Sequence, residues 1–127
     1  MVFPPSIGET SRMNFKATTR ETDGVTVIDL EGRITLGEGS ATLRTLIRES
    51  LSKGRTKILI NLAGVNYMDS SGLGELVSGY RAVKAQAGEL KLMNLNKKVS
   101  DLLQVTKLYT IFDIHNDEAA AITSFYS

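Results

Sequence analysis

The 127-residue sequence contains no cysteine and no tryptophan, and it has two prolines and one histidine, His115. Without cysteine there is no disulfide, no thiolate nucleophile and no thiolate-bound metal. A lone histidine leaves no ordinary zinc ligand set, so neither a metal nor a cofactor is expected. Charge of one sign is also missing. Fifteen basic against 14 acidic residues leave a net +1, which is no footprint for nucleic acid or an anionic membrane surface. No apolar run approaches the ~18 residues that span a bilayer. Residues 1–11 (MVFPPSIGETS) have neither the basic start nor the long apolar stretch of a secretory signal. A cytoplasmic protein is therefore expected. No repeat, low-complexity tract or interior linker divides the chain, and its length suits one domain.

What is present is a packed-domain composition, 42% apolar. Pro4, Pro5 and Gly8 argue against regular structure at the start, so residues 1–12 read as a flexible lead and 13–127 as the domain. From Phe15 to Arg20, apolar and polar residues alternate as in a half-exposed strand. Asp23-Gly24 is a hairpin signal, and residues 25–30 form the second strand, continuing toward Ile34. The period then changes. Leu43, Leu46, Ile47 and Leu51 fall on one helical face, with Gly54 as a stop. Residues 57–62 (KILINL) form a nearly continuous apolar strand, as expected where both faces are covered. A helix over 71–87 buries Leu73, Leu76, Val77, Tyr80, Val83 and Ala87. Residues 90–95 form a strand, and Asn96 can cap a helix carrying Val99, Leu102 and Leu103 and extending to Leu108. Residues 111–114 complete the strands, and Asn116 or Asp117 can cap a last helix with Ala121, Ile122 and Phe125. The order ββαβαβαβα predicts an α/β fold: a mixed, mostly parallel sheet of about five strands with four helices.

The run Asp69-Ser70-Ser71-Gly72-Leu73-Gly74 falls where a strand ends and a helix begins. Asp69 or Ser70 can cap that helix by accepting hydrogen bonds from its first N–H groups. A capping role alone does not account for Gly72 and Gly74, each costing roughly 0.8–1 kcal/mol against alanine inside a helix. The outward face of the helix carries Ser71, Gly74, Glu75, Ser78 and Ala82, which makes it nearly flat and suited to docking a protein. A phosphate on a serine here would add about −1.5 to −2 charges at a helix N-terminus, where free N–H groups and the helix dipole favour negative charge. Asp69 would repel it in part. The expectation is that the fold survives and the surface changes sign, blocking a partner.

The stretch ILINLAGVNYMDSSGLG, residues 58–74, together with Gly32-Arg33-Ile34, resembles the signature of STAS domains, and within them the bacterial anti-sigma factor antagonists. The resemblance covers about residues 25–125. It implies a single STAS-like α/β domain, a monomer or weak dimer, without catalysis of its own. It also implies that Ser70 is the phosphoacceptor of a partner that is both serine kinase and anti-sigma factor. The unphosphorylated form would bind that partner and free a sigma factor. A PP2C-type phosphatase would restore the active form. The partner surface it implies comprises Asp69, Ser71, Gly72, Leu73, Gly74, Glu75, Ser78 and Ala82, with Thr35, Leu36, Gly37, Glu38, Gly39 and Ser40 from the loop before the first helix. The chain departs from many relatives in having Thr35 and Asn61 where they have aspartates.

Other chemistries fit less well. Ser70, His115 and an aspartate are the ingredients of a triad, but Gly-x-Ser-x-Gly is absent and His115 belongs to a distant strand. Gly72-x-Gly74 meets Val77 where a dinucleotide fingerprint needs glycine, and no lysine follows Gly37-Glu38-Gly39-Ser40 as in a phosphate-binding loop. A scaffold subunit in a stress-signalling assembly is the alternative role within the same family.

Overall fold

Residues 9–12, as backbone, and residues 15–127 are described in the computed structural model. Six strands form one sheet in chain order: β1 (Glu9–Arg12), β2 (Phe15–Thr22), β3 (Val25–Ile34), β4 (Lys57–Met68), β5 (Glu89–Met93) and β6 (Ile114–His115). The helices are α1 (Glu38–Ser52), α2 (Ser70–Ala85), α3 (Lys97–Thr106) and α4 (Glu118–Ser124). The expected order ββαβαβαβα runs from β2 to α4. Ahead of it, β1 adds a short antiparallel edge to β2, so part of the stretch read as a lead is paired in the sheet. Residues 1–8, the rest of that lead, lie outside the described residues.

Asp23 and Gly24 both take positive φ, 51° and 81°. That suits the two-residue turn whose twist matches the antiparallel β2–β3 pair. From β3 onward the strands are parallel and step one way across the sheet. Right-handed crossovers that step one way leave their helices on one face. The core follows that geometry. Ile58, Ile60 and Leu62 of β4 join Leu43, Ile47, Leu76, Val83, Val99 and Leu103 of the three crossover helices. Leu59, pointing the other way, packs with Val25, Val27, Met93, the α4 residues Ala121 and Ile122, and Phe125 just past the helix. Both faces of β4 are thus covered, as its apolar run predicts.

α2 ends at Ala85 rather than at 87, so Ala87, expected to be buried, is exposed in a left-handed turn (φ 60°). Two strands depart furthest from their expected bounds. β4 continues to Met68 rather than ending at Leu62, with its register against β3 shifting between Asp29 and Glu31 and again between Gly32 and Arg33. At the first irregularity, a Cβ on Gly64 would stand 2.6 Å from Glu31 Cγ and 3.1 Å from the Leu30 carbonyl oxygen, so a larger residue would push the two strands apart there. The expected strand over 111–114 shrinks to Ile114–His115. Lys107 turns left-handed (φ 63°) at the end of α3, and Leu108–Thr110 winds into a short 3₁₀ turn. Phe112 is thereby buried while Ile111 faces outward. Phe112 packs edge-on against Tyr80 of α2, with ring centroids 5.5 Å apart.

Candidate functional site

The long arm of β4 brings Tyr67 and Met68 alongside the end of β3, where Met68 pairs with Ile34. The chain then turns at Asp69 into α2. Asp69, not Ser70, is the cap: its Oδ1 accepts from the N–H of Ser71 (2.9 Å) and of Gly72 (3.1 Å). Its other oxygen, Oδ2, accepts from the Leu36 N–H at 3.1 Å. One carboxylate therefore fixes the start of α2 and ties it to the loop before α1. The Asp69 N–H closes the same junction on the Ile34 carbonyl at 3.2 Å. Desolvation acts to raise the Asp69 carboxyl pKa, but the N–H groups of Gly72, Leu36 and Ser71 outweigh it and hold the group below the ordinary carboxylate value.

The sequence leads one to expect free N–H groups at the head of α2. The structure corrects that expectation. The Ser71 and Gly72 N–H groups are taken by Asp69, and the Leu73 N–H bonds the Asp69 carbonyl at 3.0 Å.

Ser70 stands exposed at this head, whereas Ser71 is half-buried. Around them the residues expected to meet a partner divide in two. Leu36, Gly37, Glu38, Gly74 and Ser78 are exposed, and Thr35, Asp69, Ser71, Glu75 and Ala82 are half-buried. Gly72, Leu73, Gly39 and Ser40 are buried, so they shape the surface from beneath. Gly72 is the clearest case. A Cβ there would lie 2.7 Å from the Ile34 carbonyl oxygen and 2.9 Å from Met68 Cγ. Its helix-propensity cost is thus offset by close packing of α2 onto β3. Gly74 has nothing within 4 Å of such a Cβ and remains unexplained by packing.

The outward face of α2 is less flat than its sequence implies. Arg44 of α1 crosses it, its Nε 3.0 Å from Glu75 Oε2, and this pairing raises the Arg44 pKa. With Ile47 and Arg48, Arg44 walls a small cleft floored by Ser78, Gly79 and Ala82. On this side of the site Leu36 is an exposed apolar side chain, 79% exposed on the loop that Asp69 holds.

On its other side Ser70 borders an open groove of about 570 Å³ lined by Tyr67, Met68, Asp69, Lys98, Asp101, Leu102 and Val105. Sequence reasoning missed this half of the site, because α3 reaches Ser70 only through the tertiary fold. Its one sequence signal is Val105, apolar yet off the buried stripe of Val99 and Leu103, and here 82% exposed. No histidine lines the groove. His115 sits on β6 with Nε2 3.1 Å from the Asp113 carboxylate. Among the described residues no group of His, Asp and Glu is arranged to hold a metal ion.

An exposed serine heading a helix, tethered to the loop before the first crossover helix, on a sheet of this order, defines a class. The family model for the STAS domain matches residues 16–121, and the chain belongs to that family. More particularly, it is 31% identical over 102 residues to the anti-sigma-B factor antagonist of Bacillus subtilis, covering 80% of this chain and 92% of that protein. It is 28% identical over 112 residues to the anti-sigma F factor antagonist of Paenibacillus polymyxa, covering 87% of this chain and 95% of that one. Among solved structures, the Bacillus cell fate determinant SpoIIAA in its phosphorylated form superposes with a TM-score of 0.68 at 25% identity, covering 85% of this chain and 97% of that one.

Proposed function

We propose that this protein is an anti-sigma factor antagonist working by partner switching. The unphosphorylated form binds an anti-sigma factor that is also a serine kinase, and so releases a sigma factor. Phosphorylation of Ser70 ends the binding, and a PP2C-type phosphatase restores it. The observation that carries this reading is the exposure of Ser70 at the head of α2, next to Leu36 on a loop fixed to the same cap. A phosphate there adds about two negative charges to a surface whose nearest carboxylate is already ionised, without entering the core. Its effect falls on whatever docks. The protein then acts by binding, in the cytoplasm, with no catalytic residue of its own.

The test is to incubate the protein with its cognate kinase and ATP and map the phosphate by mass spectrometry. The expected result is a single phosphate on Ser70, absent from Ser70→Ala. Undiminished labelling of Ser70→Ala would overturn the assignment. Ser70→Ala should stay bound to the kinase in a pull-down, while Ser70→Asp should lose the partner and keep a native circular dichroism spectrum.

A further inference from the structure

We propose that a phosphate on Ser70 is received within this same chain by Lys98, across the groove between α2 and α3. This inference rests on Ser70 being the phosphoacceptor. The helix N-terminus offers the phosphate little, because Asp69 already takes the Ser71 and Gly72 N–H groups and its carboxylate stands beside the phosphate. The open groove is the adjoining space, and since Asp69 and Asp101 also line it, the one charged group there that attracts the phosphate is Lys98.

The groove's charged lining is Asp69, Lys98 and Asp101. Asp101 is engaged by Lys97 one turn earlier, Nζ 3.1 Å from its Oδ2. Lys98 is exposed and makes no hydrogen bond or ion pair among the described residues, so its ammonium group is uncommitted. Arg33, the other cation near this rim, is occupied by stacking on Tyr67, 4.4 Å from the ring centroid. A phosphate drawn to Lys98 lies over the apolar wall of Leu102 and Val105. The groove is then recharged.

The experiment uses full-length protein with phosphoserine installed at position 70 during translation, so that no kinase is needed. The second ionisation of the phosphate is followed by ³¹P NMR as a function of pH. Lys98 favours the dianion, so Lys98→Ala should raise that pKa by on the order of half a pH unit, the Coulomb effect of one charge ~6 Å away in water. Lys98→Arg should restore the lower value, and Lys53→Ala, at the far end of α1 and outside the groove, should leave it unchanged. The difference between the parent and Lys98→Ala should shrink in 1 M salt. An identical pKa in the parent and Lys98→Ala, or an equal shift from Lys53→Ala, overturns the proposal. That result leaves Ser70 as phosphoacceptor untouched. Failure of a kinase to label Ser70 would sink the functional reading without bearing on where an installed phosphate goes.

Discussion

Asp69 does two jobs with its two oxygens, and the two can be separated by substitution. Asp69→Ala removes the cap and should lower stability to urea by about 1 kcal/mol, within the 0.5–2 kcal/mol range of lost caps. Asp69→Asn keeps one acceptor oxygen for Ser71 and Gly72, but its amide nitrogen cannot accept from the Leu36 N–H. That variant should remain near parental stability while the Leu36 amide exchanges faster with solvent, as read by hydrogen-exchange NMR. The two nearby glycines should respond in opposite directions. Gly72→Ala drives a Cβ against the Ile34 carbonyl and should cost on the order of 1–3 kcal/mol. Gly74→Ala meets open space and should stabilise α2 by up to about 1 kcal/mol. If the exposed face is a docking surface, Gly74→Ala should also weaken partner binding while raising the urea midpoint. The motif's position at a strand–helix junction was legible in the sequence. Which residue caps was not, since Asp and Ser are both good caps and only the backbone path chooses between them. The same path separates exposed Ser70 from half-buried Ser71, a distinction that local composition does not carry.

The opposite face of the sheet has its own logic, centred on α4. This seven-residue helix is too short to persist alone. Beyond the packing of Ala121, Ile122 and Phe125 it is held by Arg20, which bonds Glu118 at 2.6 and 2.9 Å and Asp29 at 2.7 and 3.2 Å. Asp29 is bonded in turn by Asn61 Nδ2 at 2.8 Å. The Arg20 hydrogen bonds hold the Glu118 carboxyl below its ordinary value. A carboxylate depressed in the folded state contributes stability that is complete above its unfolded pKa, roughly 4.3, and is lost as pH falls through the folded one. Exchange protection of the α4 amides should therefore drop as pH falls below the unfolded carboxyl value of roughly 4.3, before the central strands respond. Arg20→Gln should lower that protection at pH 7 and flatten its acid dependence. An unchanged acid profile in Arg20→Gln would remove Arg20 from this account. The existence of α4 could be read from Asp117, whose side chain accepts from the Ala120 N–H, and from the Ala121, Ile122 and Phe125 spacing. The Arg20–Glu118 link could not, because it joins residues 98 positions apart. Strand β6 was misplaced for a related reason. The apolar pair Ile111 and Phe112 reads as strand, but the left-handed Lys107 starts a tight turn that leaves only Phe112 for the core.

For the whole molecule, the consequence is a division between what folds and what docks. The crossover helices bury their apolar stripes in one core, and Ser70, Leu36, Gly74 and Ser78 stand outside it. The Ser70 hydroxyl makes no side-chain hydrogen bond among the described residues, so altering it removes no native contact. Surface changes away from caps and core usually stay within about 0.5 kcal/mol. Phosphoserine at position 70 should accordingly leave the urea midpoint close to that of the parent while abolishing binding to the proposed anti-sigma factor partner. A core change should do the reverse. Leu76 is fully buried between α1 and the sheet, and Leu76→Ala should cost 2–5 kcal/mol, the range for buried leucines. Measured well below its lowered melting temperature, Leu76→Ala should still bind with near-parental affinity, because its face toward the partner is unchanged. The pair of variants thus forms a double dissociation, with unfolding curves and calorimetric titration as the two readouts. A phosphorylated protein that lost several kcal/mol of stability would show that the switch works by melting α2. In that case Asp69, by shielding the first N–H groups of the helix, would be holding the phosphate where it strains the fold.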